Sequence, residues 1–218
     1  MKYKIAIFDL DGTLLDTLQD LAISTNHALK AFGYPQKTTE EIRQFVGNGI
    51  EKLIERAAPA DISANERKRV LDCFKLHYAK HCEDHTAPYE GITELLDNLI
   101  ENKLQIAVVS NKIDSAVQSL CQKYFGDRFA FTVGEREGIR RKPFPDSVSE
   151  VLRKANIFPS DAVYIGDSEV DILTAKNAGT DMICVTWGFR DRDFLLKSGA
   201  PLFADSVAQL KKTIFEKQ

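Results

Sequence analysis

Asp9-Leu10-Asp11-Gly12-Thr13-Leu14 closes an apolar run, residues 4–8, and this junction decides the fold. The run is rich in Ile and Phe and almost unbroken in its apolar character. A strand covered on both faces of a parallel sheet reads this way. Four further runs share the character: 104–109, 129–133, 162–165 and 182–186. Helical patterns over 92–102, 113–124, 146–155, 172–178 and 206–216 alternate with them. Strand–helix alternation predicts an α/β fold, a doubly wound parallel sheet with a Rossmann-like core. In such sheets ligands bind beyond the carboxyl ends of the strands.

Residues 17–85 break the alternation and hold no convincing strand. Leu18, Leu21, Ala22, Leu29 and Phe32 follow helical spacing, and Gly33 offers a stop. Further helical stretches cover 50–58 and about 64–82. Pro88, Tyr89, Glu90 and Gly91 make a turn-rich return. The expected organisation is an α/β core of residues 1–15 and 88–218, with a helical cap domain, 16–87, inserted after the first strand. An insert at that point is placed to act as a lid.

A net charge of −3 offers no clustered basic surface, so neither nucleic acid nor an anionic membrane is expected as a partner. No apolar span reaches the 18 residues a transmembrane helix needs. The short N-terminal apolar run is interrupted by Asp9 and Asp11, unlike a signal peptide. Cys73, Cys82, Cys121 and Cys184 form no CxxC pair, which suits reduced thiols in a cytoplasmic protein. His77, His81 and His85 would share a face on one helix, yet no acid accompanies them at catalytic spacing. Core or boundary histidines are the default for them.

Asp9 and Asp11 lie two residues apart at a strand end, so both carboxylates can face one mouth. Gly166-Asp167-Ser168-Glu169-Val170-Asp171 follows another strand, and its acids should emerge at the same edge. Carboxylates brought together repel unless a proton or cation intervenes. A hard-oxygen site of this kind suits Mg²⁺. Each piece also has a plainer reading: the Asp-x-Asp-Gly turn as a turn, and Ser168-x-x-Asp171 as a helix cap.

At these residues the chain resembles the haloacid dehalogenase superfamily of phosphatases. Four stretches in order carry the likeness: Asp9-Leu10-Asp11-Gly12-Thr13, Val109-Ser110-Asn111, Lys142-Pro143-Phe144-Pro145, and 166–171. The resemblance implies Asp9 as the nucleophile, Asp11 as the proton donor and acceptor, and Lys142 as the charge-neutralising cation. It implies Ser110, Asn111 through its adjacent backbone amide, and Gly12 in phosphate binding. Asp9, Asp11 and Asp167 are implied as metal ligands, with Asp171 holding metal-bound water or orienting Lys142. Lys142 closes Arg140-Arg141-Lys142, which by itself reads as a solvated basic run.

An acid two residues after the nucleophile separates phosphatases from dehalogenases in this superfamily, because an alkoxide needs a proton on leaving and a halide does not. The expected partner is a small phosphorylated metabolite. Residues 43–49 and Val185-Thr186-Trp187-Gly188 resemble stretches of phosphoglycolate phosphatases, with Arg43 a candidate for a substrate carboxylate. Alternatives in the same superfamily are a phosphosugar mutase of the β-phosphoglucomutase type and a pyrophosphatase or nucleotidase. A non-enzymatic binding module fits less well, since the acidic set and Lys142 are complete. A P-loop enzyme is excluded because no GxxxxGK[ST] occurs. Monomer and homodimer both remain open.

Overall fold

The computed structural model describes residues 2–47 and 49–216. Strand β1 (Ile5–Phe8) is followed by a short strand β2 (Leu15–Asp16) and four helices, α1 (Leu18–Ala31), α2 (Thr39–Phe45), α3 (Gly49–Ala57) and α4 (Ala64–His81). A second short strand, β3 (Ala87–Pro88), precedes α5 (Ile92–Glu101), β4 (Gln105–Ile113), α6 (Asp114–Phe125) and β5 (Phe131–Glu135). Next come α7 (Asp146–Ala155), β6 (Ala162–Gly166), α8 (Glu169–Ala178), β7 (Asp181–Val185), α9 (Arg192–Lys197), β8 (Phe203–Ala204) and α10 (Val207–Phe215). The chain forms two compact units, Met1–Leu15 with Pro88–Gln218, and Asp16–Ala87.

The first unit is built on a six-stranded parallel sheet in the order β5-β4-β1-β6-β7-β8. From β1 the chain steps outward through β4 to β5, then crosses back and steps outward through β6, β7 and β8. The reversal falls between β1 and β6, and such a switch point opens a crevice at the carboxyl ends of the strands. Alternate residues serve opposite faces. Ala6 and Phe8 pack with Leu96, Val108 and Ile165, whereas Ile5 and Ile7 pack with Val109, Val148 and Tyr164. Helices cover both faces, so β1 and β6 are buried at every position.

Two elements escape a reading by periodicity. β8 pairs only through Cys184↔Phe203 and Val185↔Ala204, and two residues carry no alternating pattern. The six-residue helix α9 is also too short for one. β5 starts two residues later than its apolar run, at Phe131 rather than residue 129. Phe129 instead packs edge-on against Phe125, with the 3-10 turn Gly126–Arg128 between them.

In the second unit, α2 is a helix that the reading by periodicity left out, and it takes in the first three residues of the stretch 43–49. Thr38 and Glu41 form a capping box: Thr38 Oγ1 accepts from Glu41 N at 3.2 Å, and Thr38 N donates to Glu41 Oε2 at 2.7 Å. Arg43, Gln44 and Phe45 therefore belong to the last turn of a helix, while Asn48 lies outside the described residues. α4 ends at His81, so His77 and His81 stack at 4.3 Å while His85 falls beyond the helix. His85 instead joins Asp20.

Asp20 sits in the first turn of α1 with 1% exposure. It accepts from His85 N (3.0 Å), Thr86 N (2.9 Å) and Thr86 Oγ1 (2.8 Å), and lies 2.9 Å from His85 Nδ1. Burial opposes its charge, but these donors outweigh burial and hold the carboxyl below its usual range. A carboxyl depressed on folding stabilises above its unfolded pKa, roughly 3.9, and loses that contribution as the pH falls through the folded value. Asp20→Ala should thus destabilise the protein by about 2–4 kcal/mol at pH 7. Denaturant melts of both proteins should converge as the pH drops below about 4; a difference that stays constant with pH would refute the charge-based role.

Candidate active site

Strand ends at the switch point place the acids. Asp9 is the first residue after β1, and its N–H donates to Ile165 O at 2.8 Å, extending the β1–β6 ladder into the crevice. Asp167 is the first residue after β6. Asp171 lies in the first turn of α8, where its Oδ2 accepts from Ser168 N (3.1 Å) and Ser168 Oγ (2.5 Å). The helix-cap reading of this stretch therefore holds, and it leaves Oδ1 to face the site.

Lys142 Nζ stands 2.8 Å from Asp9 Oδ1 and 2.8 Å from Asp171 Oδ1, with its side chain 4% exposed. Its neighbour Arg140 pairs with Asp146 at the surface. The basic run is thus solvated at Arg140 and buried at Lys142. Asn111 holds the Lys142 backbone from both sides: Lys142 N donates to Asn111 Oδ1 at 2.8 Å, and Asn111 Nδ2 donates to Lys142 O at 3.1 Å. Ser110 is buried, and its Oγ accepts from Lys112 N at 3.1 Å.

Burial pushes the Asp9 carboxyl up to about 7, with Lys142 opposing the rise and Asp171 adding to it. Burial also drives Asp167 well above the usual carboxylate range, reinforced by Asp171 and Asp9. For Lys142, burial would lower the ammonium, but Asp171 and Asp9 overcome it and hold it well above its ordinary value. The local excess is therefore negative even with Lys142 in place. Asp9, Asp167 and Asp171 each offer an oxygen within 4.8 Å of the others, the one such cluster among the described residues. A dense, buried, all-oxygen set fits a hard divalent cation.

Several side chains that sequence reasoning passed over complete the site. Thr13 Oγ1 donates to Asp167 Oδ1 at 3.2 Å, and Phe189 N donates to Asp167 Oδ2 at 2.7 Å. Lys112 Nζ lies 2.9 Å from Asp11 Oδ1. Tyr164 Oη lies 3.2 Å from both Lys142 Nζ and Asp171 Oδ1. A hydroxyl in an otherwise apolar strand was the available signal for Tyr164. Arg43 belongs to the second unit, where Nε and Nη2 close on Glu40 at 2.8 Å each. Direct contacts join Asp9, Asn111, Lys142 and Asp171, and Asp167 shares the carboxylate cluster, whereas Asp11 pairs with Lys112 outside that cluster and Arg43 lies in the second unit.

Comparison with known proteins shows what the chain is similar to. Residues 6–185 match the family described as haloacid dehalogenase-like hydrolase. A phosphoglycolate phosphatase of Vibrio parahaemolyticus is 31% identical over 218 residues, 97% of this chain and 96% of that protein. A crystal structure from Lactobacillus delbrueckii subsp. bulgaricus, provisionally a phosphoglycolate phosphatase, is 40% identical with a TM-score of 0.95 over 100% of both chains. Another from Haemophilus somnus 129pt, a predicted phosphoglycolate phosphatase, is 28% identical with a TM-score of 0.90, covering 98% and 99% of the two chains.

Glycines let the loops close around Asp167. Gly12 has φ +83°, and a Cβ on Gly188 would fall 2.3 Å from Gly12 O and 2.4 Å from Asp167 Oδ2. Gly188→Ala should displace Asp167 and weaken the binding of a divalent cation by at least about tenfold, read by calorimetry. Unchanged affinity in the folded variant would mean that this close approach does not position Asp167.

Proposed function

The chain belongs to the haloacid dehalogenase-like hydrolases, and from that premise we propose that it hydrolyses a small phosphate monoester, foremost 2-phosphoglycolate, through a phosphorylated Asp9. The observation that carries the reading is the buried contact of Lys142 Nζ with Asp9 Oδ1 at 2.8 Å, with Asp167 close by at the carboxyl ends of the central strands β1 and β6. A carboxylate nucleophile attacking a phosphoryl group brings negative charge onto negative charge. A fixed ammonium beside it neutralises that charge as it gathers.

In the proposed reaction Asp9 attacks phosphorus in line, and the P–O bond to the leaving group breaks. Asp11 gives its proton to the departing alkoxide. Ser110 and the neighbouring backbone amide donate to the phosphoryl oxygens, while Lys142 neutralises them. Water then attacks the phosphorus of the aspartyl phosphate, Asp11 takes its proton, and inorganic phosphate leaves with Asp9 restored. Asp9 and Asp167, with the Asp11 backbone carbonyl, would hold Mg²⁺, which would supply charge compensation for the phosphoryl oxygens. With both oxygens of Asp171 already bonded, its role in this reading is to orient Lys142.

Asp16–Ala87 leaves the chain directly after the Asp9–Thr13 stretch, and its proposed role is a lid that excludes water during transfer. The names of the similar proteins support 2-phosphoglycolate as substrate. Arg43 is proposed to bind its carboxylate, exchanging Glu40 for the ligand.

Phosphate release from a panel of small esters, with and without Mg²⁺, tests the reaction. The wild type should turn over 2-phosphoglycolate only with Mg²⁺, and Asp9→Asn should lose at least about a thousandfold in kcat while staying folded. Turnover surviving in Asp9→Asn would end the covalent reading. Arg43→Ala should raise KM for 2-phosphoglycolate by about tenfold and leave an alkyl phosphate that lacks a carboxylate unaffected. An equal effect on both esters would remove Arg43 from carboxylate recognition.

A further inference from the structure

Tyr164 is the largest fully buried side chain in the protein. It lies in β6, between Ile7 of β1 and Met182 of β7, and packs in the apolar cluster on that face of the sheet. Phenylalanine would fill the same volume at no cost in buried polar surface. A buried hydroxyl is tolerated only when it is hydrogen-bonded, so its partners indicate why it stands there. They are Lys142 Nζ, Asp171 Oδ1 and Val109 O, each at 3.2 Å. Val109 immediately precedes Ser110. One hydroxyl therefore touches the strand that carries Ser110, the helix turn that carries Asp171, and the ammonium itself.

An ammonium has three N–H donors. Those of Lys142 have three acceptors: Asp9 Oδ1 at 2.8 Å, Asp171 Oδ1 at 2.8 Å and Tyr164 Oη at 3.2 Å. The first changes character in the proposed reaction, because Asp9 becomes an acyl phosphate and its charge passes to the phosphoryl oxygens. Asp171 and Tyr164 are unaltered throughout. A four-methylene side chain has many rotamers, and two fixed acceptors restrict its tip far more than one. From this we infer that Tyr164 is a positioning residue: its hydroxyl, with Asp171, holds the Lys142 ammonium on Asp9 and the transferring phosphoryl group. The inference rests on the reading above that Lys142 neutralises that group.

The test is a double-mutant cycle of Tyr164→Phe and Lys142→Met, read by kcat and KM on 2-phosphoglycolate with Mg²⁺. Tyr164→Phe should lower kcat by about tenfold with KM within about threefold, since charge compensation matters most in the transition state. In the Lys142→Met background the same change should cost no more than about twofold, because the group it positions is gone. The cycle read by calorimetric binding of inorganic phosphate with Mg²⁺ gives the same comparison without turnover. Equal losses in both backgrounds would assign Tyr164 a merely structural role and overturn the inference, as would wild-type kcat in Tyr164→Phe. Wild-type kcat in Lys142→Met would instead overturn the role of Lys142 itself.

Discussion

One ammonium held among buried carboxylates is the constraint on which the rest of the structure depends. Lys142 is almost sealed from water, as are Asp9, Asp167 and Asp171. Removing these charges from water costs several kcal/mol for each ion, and Coulomb attraction offsets this only with precise geometry and further hydrogen bonds. The surroundings supply both. Asn111 fixes the Lys142 backbone, Ser168 occupies one oxygen of Asp171, and Thr13 with Phe189 N occupies Asp167. Burial, reinforced by the neighbouring carboxylates, raises the Asp9 and Asp167 carboxyls, a strain that a proton or a cation relieves.

Topology makes that concentration possible. Ladder hydrogen bonds fix the backbone register up to the last pair of each strand. β1 and β6 are adjacent across the point where the winding reverses, so Asp9 and Asp167 leave neighbouring rails in the same direction. Side chains on rigid strands supply the charged centre, while the glycines at 12 and 188 let their loops approach Asp167 more closely than any side chain would allow. Asp20 does comparable work in the second unit, tying the first turn of α1 to the segment just before β3.

Legibility followed the range of the physical cause. The five long strands and the helices between them were readable because burial on both faces writes an apolar run and burial on one face writes a period. α2 was missed although Thr38 and Glu41 carry a capping box, since seven residues with one buried position, Ile42, show little periodicity. His85 shares no helix with His77 and His81, because α4 ends at His81, within one residue of the end read from the sequence. Among the site residues, Asp9 and Asp167 were legible as acids at strand ends, and Ser110 and Lys142 through the family resemblance. The roles of Tyr164, Lys112 and Thr13 were not legible, because the partner each side chain meets is set by packing.

What the sequence determined by itself is the inventory: a parallel α/β core, an insert after the first strand, and an acidic set at strand ends. These are local properties, set by side-chain pattern and by chain neighbours. Only the tertiary structure decided which charges meet, which are buried and which oxygen each donor occupies. Lys142 reaches Asp9 and Asp171 across 133 and 29 positions because the sheet order sets β1 beside β6. Its neighbour Arg140 ends at the surface on Asp146. Two cations separated by one residue thus take opposite fates, because burial and partner distance are properties of the packed chain and of no single stretch of it.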